Sequence, residues 1–208
     1  MSELGQNITW EFLLAAYANG YFPMAEQQDN PTLHWVYPEH RGVLPLGHFH
    51  VPSSLAKFMK KSPFLITTNV AFPEVIRACA EATEMRKETW INEPIIQLYC
   101  ELWKYGFAHS VECWLPSSMH ESPTLVGGLY GVAIGGAFFG ESMFSRNTNA
   151  SKVALVHLVS LLREAGYSLL DTQFVNDHLK QFGIIEIPRA DYLEQLRHAI
   201  QLKPSPCF

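Results

Sequence analysis

No stretch of this chain approaches the ~18 consecutive apolar residues that a membrane-crossing helix needs. The longest apolar region begins at Leu125, is broken by glycines and meets a charge at Glu141. The opening residues Met1-Ser-Glu-Leu-Gly-Gln-Asn carry no basic region followed by an apolar run, so they do not read as a signal peptide, and the cytoplasm is the expected compartment. Cysteine is sparse. Cys79, Cys100, Cys113 and Cys207 form no Cys-x-x-Cys pair and read as free thiols. Of the histidines, His48 and His50 are the closest pair, and no third ligand follows in a recognisable pattern, so no metal is expected. A net charge of −5 excludes a chain that is basic throughout, although phosphates respond to local clusters rather than to the sum. Residues 141–165 contain no glycine, and no Gly-x-Gly-x-x-Gly precedes a helix, which argues against a dinucleotide or pyrophosphate cradle. Ser142, Ser145 and Ser151 lack a histidine in a nucleophile-elbow context, which argues against a serine hydrolase.

What is present is an ordinary globular balance, 48% hydrophobic and 17% charged, in 208 residues: enough for one substantial domain with a small partner. Thr9 caps an expected helix over residues 10–19, with Gly20 as its stop. A Pro-rich polar loop is expected over residues 23–45, which places a small N-terminal unit at residues 1–42 and the larger domain at 43–208. Helices are expected over residues 71–83, with Pro73 in the first turn, and 93–105, stopped by Gly106. Residues 109–115 alternate as a strand. Residues 125–134 and 137–144 read as two strands joined by a Gly135-Gly136 hairpin. Asn149 or Ser151 starts an amphipathic helix to Ala165, with Val153, Val156, Val159 and Leu162 as its buried stripe and Gly166 as its stop. A strand over 167–175, a short helix from Asn176 or Asp177 to Phe182, a strand over 184–187 and a helix over 190–202 complete the chain. The class is α+β, a mixed sheet flanked by helices.

Asp171 lies within Leu169-Leu-Asp-Thr-Gln-Phe-Val, and burying an unpaired carboxylate is expensive. Side chains two apart on a strand point the same way, so Asp171 and Gln173 share a face as an acid–amide relay. The same carboxylate suits a strand-end cap for a neighbouring helix. Glu141 suits either a cleft wall or the emergence of its strand into solvent. The glycines at 127, 128, 131, 135 and 136 signal close approach of another backbone or a ligand. Lys57, Lys60 and Lys61 share one face if their segment is helical, either as a solvated surface or as a phosphate contact. Trp35 and Trp90 lie in polar, loop-like surroundings and suit stacking on unpaired bases or the plugging of a small core.

Taken together, Phe22-Pro23, Thr89-Trp-Ile, His109-Ser-Val-Glu, Leu125-Val-Gly-Gly-Leu-Tyr-Gly-Val, Gly140-Glu-Ser-Met-Phe-Ser, Ser151-Lys152, Asn176-Asp-His and Ile187-Pro-Arg resemble the leucyl/phenylalanyl-tRNA–protein transferase family, from about Ile8 to the last helix. The resemblance implies a GNAT-like acyltransferase domain behind a small N-terminal domain, with no bound cofactor and a monomeric state. It implies Leu-tRNA or Phe-tRNA as donor (Met-tRNA less well), and acceptor proteins beginning with Arg or Lys that are thereby marked for N-degron degradation. It assigns Asp171 and Gln173 as the catalytic pair and Glu141 as a third polar residue that helps read the acceptor. Leu129, Phe138, Leu158 and Leu170 become the aminoacyl pocket, Trp90 a contact for the terminal adenosine, and Lys57, Lys60, Lys61 and Trp35 contacts for tRNA. The chain departs from some members at Met24, which stands where they carry a stacking tryptophan. Two other readings compete: an acetyl-CoA-dependent N-acyltransferase, which the glycine-free 141–165 segment disfavours, and a non-catalytic tRNA-binding module, which leaves Asp171 and Gln173 without a purpose.

Overall fold

The computed structural model describes residues 8–26, 30, 32–82, 89–117 and 121–208. Helix α1, Trp10–Ala18, starts where the Thr9 hydroxyl accepts the Phe12 N–H at 3.3 Å, and it ends before Gly20, whose φ of +86° only glycine adopts freely. The segment expected as a loop folds differently. It holds three strands of four residues each: β1 Phe22–Ala25 and β2 Leu33–Val36, which form a two-stranded antiparallel sheet, and β3 His40–Val43. Their shortness explains the miss, because four residues interrupted by Pro23 or ringed by polar groups carry too little alternation to register.

A 3₁₀ turn at Leu46–His48 leads to α2, Ser53–Met59, then β4, Leu65–Thr68, and α3, Phe72–Ala80. Helix α3 is shorter than expected, and the expected end at Thr83 lies outside the described residues. In α4, Glu93–Lys104, the Asn92 side chain accepts the Ile95 N–H at 3.0 Å. Strands β5 Ala108–Leu115, β6 Thr124–Ile134 and β7 Ala137–Ser145 form a meander. Helix α5, Ala150–Ala165, starts after Asn149, and its buried stripe is wider than the sequence pattern: Ala154, Leu155 and Leu158 join Val153, Val159 and Leu162, while Val156 is only half-buried. The chain ends with β8 Leu169–Gln173, α6 Asp177–Lys180, β9 Ile185–Pro188 and α7 Arg189–Ala199.

Seven strands form one mixed sheet in the order β4-β5-β6-β7-β8-β3-β9. Among the described strands only β7 and β8 run parallel, and α5 is the crossover that such a pair requires. The sheet is covered on both faces. Tyr130, Val132, Phe139 and Leu169 pack with α1, α3 and α4, while Leu129, Phe138 and Leu170 pack with α5. Each such fully buried side chain contributes about 1.5–3 kcal/mol. Glycine at 127 is what lets α5 sit this close, since a Cβ there would collide with Ala150.

Candidate active site

The parallel pairing of β7 with β8 covers only Ala137↔Leu169, Phe138↔Leu170 and Phe139↔Asp171. Beyond it β7 continues on β6 and β8 continues on β3, so the sheet opens between them. A cavity of about 570 Å³ fills this opening. Leu129, Leu155, Leu158, Leu170, Leu179, Met143 and Phe144 give it apolar walls, and Glu141, Thr172 and Gln173 supply polar groups from the two parting strands. Ser145, Arg146, Ser151, Asn176 and His178 also line it. A second hollow of about 470 Å³, between Phe49, Val51 and α5, shares no residue with the first.

Two local irregularities aim the polar groups. In the β6–β7 register Tyr130 faces Ser142 and Gly131 faces Gly140, leaving Glu141 as the extra residue of a β-bulge, a device that re-aims a side chain. Glu141 is half-buried and accepts from Tyr17 Oη at 2.7 Å, Tyr99 Oη at 3.1 Å and Gln173 Nε2 at 3.1 Å. The Tyr17 and Tyr99 hydroxyls also meet each other, and with one proton apiece they complete all three contacts only when Glu141 carries a proton of its own. Burial raises the Glu141 pKa to about 7 against the opposing help of the two tyrosines, with the Asp171 charge adding to the rise.

The second irregularity is at Gln173, the last residue of β8. Gly42 faces Gln173 and Val43 faces Asp171, so Thr172 is unopposed. Gln173 has φ +57°, and the Phe174 N–H bonds back to the Thr172 carbonyl at 2.6 Å, a γ-turn centred on Gln173. A non-glycine residue held there costs of order 1–3 kcal/mol and persists only where its surroundings impose it. Glycine at 42 is part of that frame, because a Cβ would come within 2.7 Å of the Phe174 carbonyl carbon.

Asp171 supplies the rest of the frame. It is fully buried, and its carboxylate accepts from Arg41 Nε at 2.9 and 3.1 Å, from Arg41 Nη2 at 2.7 Å, from Tyr192 Oη at 2.6 Å and from the Gln173 backbone N–H at 2.8 Å. The expected shared face is not observed: Gln173 lines the cavity and Asp171 does not, because Asp171 turns to Arg41 and Tyr192 and holds the main chain of Gln173, while the Gln173 amide reaches Glu141. Arg41 is itself buried, donates Nη1 to the Gly20 carbonyl at 2.9 Å, and lies between the rings of Phe22 and Tyr192 at 4.5 and 4.6 Å. Burial works against its charge, and Asp171 more than offsets this, so its pKa is raised.

Of the apolar residues assigned from the sequence, Leu129, Leu158 and Leu170 line the cavity, whereas Phe138 is fully buried with its ring stacked on Phe208. Trp90, Met24 and Trp35 are half-buried against the core, Trp35 edge-on to Phe12, and none lines the cavity. Lys57, Lys60 and Lys61 are exposed at the end of α2, away from the cavity lining. Sequence reasoning missed Tyr17, Tyr99, Arg41 and Tyr192. Tyr17 and Tyr99 look like core residues in the apolar runs of α1 and α4, Tyr192 is one aromatic in the polar helix α7, and Arg41 sits in a segment read as a loop.

A sequence profile described as leucyl/phenylalanyl-tRNA protein transferase matches residues 43–197, and one for the N-terminal domain of the same enzymes matches residues 6–39. This chain belongs to the leucyl/phenylalanyl-tRNA–protein transferase family. It is 57% identical over 193 residues to the leucyl/phenylalanyl-tRNA–protein transferase of Paramagnetospirillum magneticum, covering 93% of this chain and 90% of that one. It is 53% identical to that of Caulobacter vibrioides over 92% of this chain and 86% of the other. It is thus an enzyme of the aminoacyltransferase class, with aminoacyl-tRNA as a partner implied by the family. A crystal structure of FemX shares the fold, with a TM-score of 0.57 at 11% identity over 85% of this chain and 66% of that one.

The raised Glu141 pKa ties the protein's stability to pH. A folded-state value raised from about 4.5 to about 7 favours the protonated form. That stabilising contribution is complete below the unfolded value and is lost as pH rises through 7. The melting temperature of the native protein should therefore fall relative to that of Glu141→Gln between pH 4.5 and 7.5. A constant difference between the two proteins over that range would contradict the raised value.

Proposed function

We propose that the enzyme moves Leu or Phe, and Met less well, from aminoacyl-tRNA onto the N-terminal α-amine of proteins that begin with Arg or Lys, marking them for N-degron degradation. The observation that carries this reading is the placement of the Gln173 amide and the Glu141 carboxylate, 3.1 Å apart, at the polar side of an apolar cavity. Leu129, Leu158 and Leu170 suit an unbranched or aromatic side chain, where a misplaced methylene costs ~1–3 kcal/mol. The 43–208 segment acts as a GNAT-like acyltransferase domain behind a small N-terminal domain, and β3, which straddles the 42/43 boundary, goes with the larger domain through its pairing with β8 and β9. The enzyme works as a monomer in the cytoplasm, where charged tRNA is found. Trp90, Met24, Trp35 and the lysines 57, 60 and 61 lie outside the cavity and serve as tRNA contacts.

The donor ester is already activated, and the acceptor amine must be neutral to attack. Gln173 holds the amine in line with the ester carbonyl. In its ionised form Glu141 attracts the cationic acceptor end, and a carboxyl group with a pKa near 7 is well matched to receive the amine proton. The new C–N bond forms as the ester C–O bond breaks, and the ribose oxygen leaves with a proton. Asp171 is fully buried, ion-paired with Arg41 and outside the cavity lining, whereas Glu141 lines it, which favours positioning over proton transfer for Asp171. Incubation with labelled Phe-tRNA should place label on an Arg-initiated peptide and not on an Ala-initiated one. Equal labelling of both, or of neither, would overturn the proposal.

A further inference from the structure

We infer that Arg41 and Tyr192 are positioning residues for aminoacyl transfer, acting through Asp171 to hold Gln173 in its left-handed turn; this rests on the reading of Gln173 as the group that orients the amine. The turn is not self-sustaining. Gln173 is a non-glycine residue at φ +57°, and its N–H is fixed by Asp171 Oδ1 at 2.8 Å. That oxygen is in turn fixed by Arg41 Nε at 2.9 Å, while the other takes Arg41 Nη2 at 2.7 Å and Tyr192 Oη at 2.6 Å. A fork of two N–H groups on a carboxylate sets its plane as well as its place.

The node collects distant parts of the chain. Arg41 comes from β3, Tyr192 from α7, and the Gly20 carbonyl beyond α1 accepts from Arg41 Nη1 at 2.9 Å. Phe22 and Tyr192 bracket the guanidinium, so its plane cannot turn without displacing a buried ring. Gln173 Nε2 then reaches Glu141 at 3.1 Å, so the place of the turn sets the place of the amide. A misplacement of about 1 Å in such an arrangement lowers rate by ~10²-fold. Lysine at 41 keeps the charge but supplies one point contact in place of the fork. Phenylalanine at 192 keeps the ring and removes only the hydroxyl.

The test compares Arg41→Lys, Tyr192→Phe and a control, Leu102→Ala, whose side chain is buried in α4 outside the node. Transfer from Phe-tRNA to an Arg-initiated peptide is measured alongside Gln173 backbone amide exchange. Arg41→Lys is expected to lower kcat by ~10–100-fold, and Tyr192→Phe by about 3–10-fold, with KM for donor and acceptor within about threefold. Gln173 N–H exchange should quicken by about tenfold or more in both, whereas Leu102→Ala, although less stable, keeps its kcat within about twofold. Unchanged kcat in a folded Arg41→Lys or Tyr192→Phe protein overturns the inference, as does an equal loss in the control. If Arg41→Lys fails to fold, Tyr192→Phe alone decides. Absence of transfer by the native protein strikes the proposed function instead, and the exchange rates still report on the node.

Discussion

Gln173→Ala is expected to lower kcat for transfer by about 10²–10³-fold while leaving aminoacyl-tRNA affinity within about threefold. The amide is a polar group from β8 at the cavity, bonded to Glu141, whereas the apolar walls that would receive the donor side chain remain intact. Loss should therefore appear in the chemical step, not in binding. Alanine keeps the strained φ without the amide. Asparagine tolerates a left-handed φ better and keeps an amide one methylene shorter, so Gln173→Asn should fall between alanine and the native protein. Single-turnover rates with saturating Phe-tRNA make the measurement, and a native rate in Gln173→Ala would remove this residue from the chemistry.

Arg41→Met should cost about 3–5 kcal/mol of stability in urea titration, because it leaves the Asp171 carboxylate buried without its ion pair. Both partners are essentially inaccessible, at 1% and 0% exposure, so solvent cannot take over the lost contact. Arg41→Met combined with Asp171→Leu should recover most of the loss, since an apolar pair in place of a buried ion pair is often neutral. That double variant should nevertheless keep a kcat lowered by about 10²-fold, because nothing then fixes the Gln173 N–H. A single-variant loss below about 1 kcal/mol would show that the ion pair does not organise this region.

Much of the fold was legible because its signals are local. The Thr9 cap, the stops at Gly20, Gly106 and Gly166, and the Gly135-Gly136 turn all act within a few residues of the elements they delimit. The strands β1, β2 and β3 were not legible, since their pairing partners and not their own four residues define them. The site divides in the same way. Asp171 and Gln173 stood out as polar residues in an apolar strand, and Glu141 as a charge closing a glycine-rich hairpin. Arg41 carried no such mark, because its meaning comes from Asp171, 130 residues away in sequence. Nor does strand alternation foretell a bulge at Glu141 or a γ-turn at Gln173. Those features appear only once β6, β7, β8 and β3 are in register, and they decide which polar atoms reach the cavity.

The most direct measurement is a structure of the protein with a non-hydrolysable 3′-phenylalanyl-amide analogue of the terminal adenosine. The phenyl ring is expected among Leu129, Leu158 and Leu170, with Gln173 Nε2 and the Glu141 carboxylate about 3–3.5 Å from the place where an attacking amine would stand. A ring bound outside this cavity, or a carbonyl remote from Gln173 and Glu141, would contradict it.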